Sequence, residues 1–193
     1  MSRLIYPDNN HLAAFSKFGR GGRVTGDWGA CGSLSALFLA NVPTEGPAMS
    51  KPNRNKAIVI YGAVSMMDKI NANQVSAGIS STDTYRDKFN QRIFERAGIA
   101  SDGYLTAGMQ PSVQTIIATS GRYYVQISYQ GQAHAIAIVN SWGGNGKFYI
   151  YDPNTGLKEY DHTRFADMNI RGLIRGLGFG DDCTFVVYKL EDD

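Results

Sequence analysis

The stretch Ala133-His134-Ala135-Ile136-Ala137-Ile138-Val139-Asn140, Ser141-Trp142-Gly143-Gly144-Asn145, Gly146-Lys147-Phe148-Tyr149-Ile150-Tyr151-Asp152 decides how this chain folds. Two β-branched and aromatic runs flank a glycine-bearing loop, the pattern of an antiparallel hairpin. Closing the loop on residues 141–145 sets His134 opposite Asp152, Ile136 opposite Ile150 and Ile138 opposite Phe148. Directly opposed side chains share a face with Cβ atoms about 5 Å apart, within reach for an imidazole and a carboxylate. Ile136, Ile138, Phe148 and Ile150 then form one apolar face continuous with that pair. A slip of one residue would send His134 and Asp152 to opposite faces.

Outward from this hairpin the period of the sequence changes. Tyr123 to Tyr129 and Thr184 to Leu190 repeat the strand pattern, whereas the first half reads helical. Leu34, Leu37 and Phe38 make one stripe, ending near Asn41-Val42-Pro43. Ala57, Ile60, Tyr61, Val64 and Met67 make a second, weakened by Gly62. Thr82 caps a third, with Tyr85, Phe89, Ile93 and Ala97 recurring every four residues before Gly98. Pro111 opens a short fourth, with Val113, Ile116 and Ile117 inward. Helices followed by antiparallel strands predict an α+β fold with the helices laid on one sheet. At 193 residues the expectation is a single domain, 1–193, helical over about 1–120 and sheet over about 121–193.

The chemistry-bearing residue of the helical part is Cys31, in Gly29-Ala30-Cys31-Gly32-Ser33-Leu34-Ser35-Ala36-Leu37-Phe38. A cysteine just after a glycine turn, heading an apolar helical run, sits where backbone N–H groups lack helical partners and the macrodipole is positive. Such a position lowers a thiol pKa, and the thiolate is the nucleophilic form. The bland alternative is a small buried residue packing a helix. His134 has its own, a core histidine satisfied by a carbonyl, and Asp152 before Pro153 is a common turn-opening carboxylate. Taken together the three supply a nucleophile, a base and an orienting carboxylate. The backbone N–H of Cys31 would help hold an oxyanion. Asn140-Ser141-Trp142-Gly143 looks like the orienting segment of a papain-type site, but Asn140 is six strand residues from His134, about 20 Å away.

Other classes fare worse. A net charge of +2 does not call for nucleic acid, and the tyrosines at 123, 124, 129, 149 and 151 are ordinary strand residues. No segment is apolar for long enough to span a membrane, and the N-terminus lacks the layout of a secretory signal. His11, His134, His162, Cys31 and Cys183 are too scattered for a metal site, and no cofactor motif is present; Arg20-Gly21-Gly22-Arg23 is a phosphate-loop lookalike without its Lys-Ser/Thr. Two reduced cysteines suit an intracellular working environment, and Cys183, after Asp181-Asp182, reads as structural. Oligomeric state is not legible.

Gly29-Ala30-Cys31 with Leu34-Ser35-Ala36, His134-Ala-Ile-Ala-Ile-Val, and Tyr-Asp152-Pro-Asn-Thr-Gly resemble the papain-like superfamily, above all the YopT/AvrPphB type of bacterial effector cysteine protease. The resemblance rests on three short motifs in the order Cys, His, Asp. It implies a papain-like fold, the triad Cys31, His134 and Asp152, a protein or peptide substrate, and a translocated effector working in a target-cell cytoplasm. Related folds with this triad deamidate a glutamine instead, so protease and deamidase both stand. A non-catalytic binding module that kept the fold is the reading from another class. One departure is clear: Thr25 stands where papain-like enzymes carry the oxyanion-hole Gln. Of its neighbours, Asp27 would oppose an oxyanion, which leaves the Trp28 indole N–H as the candidate second donor.

Overall fold

The computed structural model describes residues 2–7, 30–42, 51–64, 82–107, 116, 119–129, 132–141, 146–160, 171–172, 174–175 and 183–191. Seven antiparallel strands form one sheet: β1 (Ser2–Tyr6), β2 (Ser101–Ala107), β3 (Gly121–Tyr129), β4 (Gln132–Ser141), β5 (Lys147–Asp152), β6 (Gly156–Tyr160) and β7 (Thr184–Leu190). Their order is β1-β6-β5-β4-β3-β7-β2. The helices are α1 (Ala30–Asn41), helical residues 54–64 (α2), and α3 (Thr82–Ala97).

Each helix forms for a local reason. Asn53 caps α2, its side-chain oxygen accepting from the Lys56 N–H at 3.1 Å. α3 ends as a Schellman motif, with the Ile99 N–H on the Phe94 carbonyl and the Gly98 N–H reaching the carbonyl of Glu95. α1 is buried almost throughout, from Cys31 to Leu39, so it lies inside the molecule rather than on its surface. Phe38 of α1 stacks on Tyr151 of β5, with ring centroids 4.7 Å apart. Phe94 of α3 meets Tyr124 and Tyr188 edge-on at 4.9 and 5.2 Å.

The two faces of the sheet bury two cores. Ala135, Ala137, Val139, Tyr149 and Tyr151 join the helices in the first. Ile136, Ile138, Phe148 and Ile150, the face expected from alternation, join Val125, Ile127, Ile116 and Ile174 in the second.

Two features depart from the sequence reading. The division into a helical part over about 1–120 and a sheet part beyond it is crossed by β1 and β2, which take both edges of the sheet. The β4–β5 register is also shifted. Ile138 faces Ile150, Val139 faces Tyr149, and the strands close on Ser141 opposite Lys147. Gly146 has φ +58°, a left-handed conformation that a strand does not use, so it falls in the loop and Ser141 extends β4 instead. The resulting offset is two residues, an even number, which leaves every side chain on its expected face. Of the expected fourth helix only Ile116 is described, and it is helical and buried.

Candidate active site

The site is assembled from one end of α1 and one end of the β4–β5 ribbon. Cys31 is the second residue of α1, and neither acid in the first turn nor base in the last turn of that helix answers its dipole. The N-terminal field therefore falls on Cys31 without a carboxylate of the helix to neutralise it. The cysteine is 2% exposed.

The register offset changes how His134 and Asp152 meet. Pairing between β4 and β5 runs only from Ser141 opposite Lys147 to Ala137 opposite Tyr151, so His134 lies beyond its last pair. The expected direct opposition is thus replaced by a diagonal approach on the same face, a distance that long side chains span. Nε2 of His134 lies 2.9 Å from Oδ1 of Asp152, with both side chains buried.

Asp152 is held by its own turn. Its Oδ1 accepts from the Asn154 N–H at 2.9 Å and its Oδ2 from the Thr155 hydroxyl at 2.9 Å, while its carbonyl accepts from the Thr155 N–H. Gly156 then enters β6 at φ +100°, which closes Pro153-Asn154-Thr155 in three residues. The turn-opening role and the histidine partnership, weighed as alternatives from sequence, are carried by one carboxylate at once.

The ring of His134 also hydrogen-bonds Cys31. Cys31 belongs to the first core, whereas Ile136 and Ile138, which share the parity of His134, belong to the second. Burial disfavours a charged imidazole, but the hydrogen bonds from Asp152 and Cys31 and attraction to both raise its pKa from 6.5 to about 10. Burial likewise opposes the charged form of Asp152. His134 and the two turn donors outweigh it, and hold the carboxyl below its ordinary value. Both shifts favour an ion pair between the ring and the Asp152 carboxylate.

A second polar cluster lies beside Cys31. A Cβ added to Gly32 would stand 2.9 Å from the Tyr124 hydroxyl, so the glycine is what lets the phenol come this close. Tyr124 donates to Oδ1 of Asn90 at 3.4 Å, and Nδ2 of Asn90 donates to Gln126 at 2.6 Å and to the Tyr188 hydroxyl at 3.0 Å. Burial, then the proximity of Cys31 and Tyr188, keep Tyr124 neutral by raising its pKa well above 10. Sequence reasoning missed this cluster because its members come from three elements; the glycine after Cys31 was its one legible trace.

The remaining candidates separate cleanly. Asn140 sits at the far end of β4, donating to the carbonyls of Ile116 at 2.7 Å and Thr119 at 2.9 Å, and so pins that segment to the sheet. Cys183 is buried in the second core and belongs to no disulfide. Thr25, Asp27, Trp28, His11, His162 and residues 20–23 lie outside the described residues. Among the described residues no group of three or more His, Cys, Asp or Glu side chains could hold a metal ion. No described helix is long and apolar enough to cross a membrane.

No family model matches the chain, and no curated protein does. Among solved structures, the avirulence protein AvrPphB of Pseudomonas superposes with a TM-score of 0.62 at 18% identity, over 92% of this chain and 99% of that one. PatoxP, a cysteine protease-like domain of the Photorhabdus asymbiotica toxin PaTox, gives a TM-score of 0.43 at 12% identity, over 96% of this chain and 54% of that one. At 18% identity the first likeness is one of architecture, and by it this chain has the α+β, papain-like fold of AvrPphB.

Proposed function

We propose that this protein is a cysteine-dependent amide hydrolase that cleaves a protein substrate, with Cys31 as nucleophile, His134 as acid and base, and Asp152 as the group that orients the ring. The observation that carries this reading is the buried imidazole that lies 2.9 Å from Asp152 and whose pKa both Asp152 and Cys31 raise. A core histidine needs one partner; a histidine bridging a carboxylate and a helix-terminal thiol is the arrangement that activates sulfur.

In the proposed reaction the Cys31 thiolate attacks the amide carbonyl carbon, and the carbonyl π electrons move to oxygen. The Cys31 N–H, in the first turn of α1, stabilises that oxyanion, with Trp28 as the second donor. Collapse breaks the C–N bond, and the imidazolium proton passes from His134 to the departing nitrogen. Water then attacks the thioester, giving its proton to His134 as the C–S bond breaks, and the acid and the Cys31–His134 ion pair are regenerated. Asp152 keeps its charge throughout and fixes the ring. Action on a protein inside a target cell follows from the family resemblance in the sequence motifs.

The test is alkylation of Cys31 by iodoacetamide, quantified by peptide mass against pH. An imidazolium-paired thiolate should react at full rate well below the free-thiol value of about 8.5. A Cys31 that alkylates only as pH approaches that value would defeat the proposal and leave a binding module. Weighing the products of candidate protein substrates then reads the reaction itself. Fragments support the protease, and a mass gain of about one dalton on an intact protein would replace it with a glutamine deamidase working through the same thioester.

A further inference from the structure

The backbone of β4 at His134 is braced unequally. On one side Ile127 of β3 pairs with His134, but on the other the β5 ladder has already ended at Ala137 opposite Tyr151. In place of a strand, a helix takes over: the Ser35 hydroxyl of α1 donates to the Ala135 carbonyl at 3.0 Å, and Ser35 is fully buried. A serine within a helix ordinarily turns its hydroxyl to water or back to the carbonyl four residues earlier. Here that carbonyl would be the one on Cys31, and the hydroxyl reaches out to another element instead.

Ser35 stands four residues after Cys31, on the same helix face and about 6 Å along the axis. Ala135 directly follows His134. The bond therefore ties the residue one turn below the sulfur to the residue next to the ring. Of the other contacts between α1 and the sheet, the Arg122 bond to the Leu39 carbonyl lies at the far end of the helix and runs to β3, while Phe38 on Tyr151 is apolar, and apolar contact is non-directional and tolerates sliding. A hydrogen bond constrains both distance and angle.

We propose that Ser35 is a positioning residue for the Cys31–His134 pair, setting the sulfur-to-ring geometry by fixing α1 against β4 through the Ala135 carbonyl. This rests on the hydrolase reading above. Without the bond, α1 keeps its apolar seat and the Arg122 clamp at its C-terminal end but loses its polar tie to the strand that carries the base. The thiolate–imidazolium pair then loosens, and the sulfur behaves more like a free thiol.

The experiment is the pH profile of Cys31 alkylation by iodoacetamide in the full chain, for the wild type, Ser35→Ala and Ser35→Thr. Val64→Ala, a buried truncation in α2, serves as a control for lost stability. Ser35→Ala should slow alkylation below pH 7 by about tenfold or more and move the profile toward the free-thiol range. Ser35→Thr, which keeps the hydroxyl, should restore most of it, and Val64→Ala should retain the wild-type profile. An unchanged profile in Ser35→Ala, or an equal change in Val64→Ala, overturns the positioning role. If Ser35→Ala does not fold, the Ser35→Thr and Ser35→Val pair, alike in shape and differing by the hydroxyl, decides: matching profiles overturn the proposal. A wild type that already behaves as a free thiol sinks the hydrolase reading instead, and it does so before any Ser35 variant is compared.

Discussion

The two ends of α1 meet the same physical demand with different chemistry. At the N-terminus the positive end of the helix faces Cys31, which helps to raise the pKa of the His134 imidazole. At the C-terminus the carbonyl of Leu39 accepts from Nη1 of Arg122 at 3.2 Å, and the other arm of that guanidinium holds the Glu191 carbonyl. Neither end is answered by a charge on α1 itself, so both rely on residues brought in by the sheet. An anion at one end and a cation at the other both suit the macrodipole. The difference is that the C-terminal clamp joins two backbone carbonyls to one guanidinium, whereas the N-terminal pair can exchange a proton. One end anchors the helix, and the other is where chemistry can be done.

Substitutions at the reactive end should have the largest effect, and on turnover rather than folding. Cys31→Ala and His134→Ala should each lower turnover by about 10⁴-fold or more while the chain still unfolds cooperatively. Asp152→Ala should leave measurable turnover, since the carboxylate orients and does not react, but it also strips the turn of the acceptor for Asn154 and Thr155. Equal losses in folding for all three would erase the contrast between the two ends.

The anchored end should respond in the opposite way. Arg122 is buried, and Arg122→Met removes the donor to two carbonyls, one of them a terminal carbonyl of a buried helix. A cost of about 2–4 kcal/mol is expected from buried acceptors left without donors. Urea denaturation reads that cost directly. Turnover per folded molecule should stay near wild type; a loss of turnover beyond the loss of fold would mean that the two ends are coupled through the helix.

How much of this was open to a reader of the sequence follows from the range of the interactions. The limits of α3 and β7 come from local period and punctuation and were legible outright, and those of α1, β3, β4 and β5 to within a residue or two. β2 was not, because Asp102 and Gly103 interrupt its alternation and its pairing with β7 shifts register twice. β1 and β6 are five residues each, too short to carry a pattern against the base rate of loops. The β4–β5 register failed by two residues on the conformation of Gly146, a property of one backbone angle that composition does not report. The His134–Asp152 contact survived because an even shift preserves the face. Arg122 and Ser35 were invisible: each acts on a carbonyl about a hundred residues or fewer away, and a carbonyl has no letter in the sequence.

The charge state at the reactive end can be checked through stability. His134 titrates near 10 in the folded chain against about 6.5 unfolded, so its contribution is whole below pH 6.5 and fades as pH rises toward 10. Asp152 is shifted the other way. Its contribution is present above the ordinary value of 3.8 and is lost as pH falls through its lower folded value. The pair therefore stabilises most between about pH 4 and 6.5. The difference in urea midpoint between wild type and His134→Gln should shrink steadily from pH 6.5 to 10, and a difference that does not vary over that range would show a neutral ring. Arg122→Met should show no such dependence, because what it removes is a donor to two backbone carbonyls, which do not titrate.

The smallest effect sharpens the comparison most, because it separates two contributions at one residue. Gly32→Ala gains helix propensity, at most about 1 kcal/mol and less in a first turn. Against that, the new methyl meets the Tyr124 hydroxyl at 2.9 Å and Ile93 Cδ1 at 3.3 Å. Tyr124 cannot easily give way, since its ring lies edge-on to Phe94 and its hydroxyl is engaged with Asn90. The clash should win, for a net loss of about 1 kcal/mol. Tyr124→Phe deletes the atom that the methyl strikes, so Gly32→Ala placed on Tyr124→Phe should cost less than on the wild type, by about 0.5–1 kcal/mol of coupling. Strict additivity would mean that the phenol had moved aside, and that the wall behind the sulfur is softer than the clamp at the opposite end of the helix.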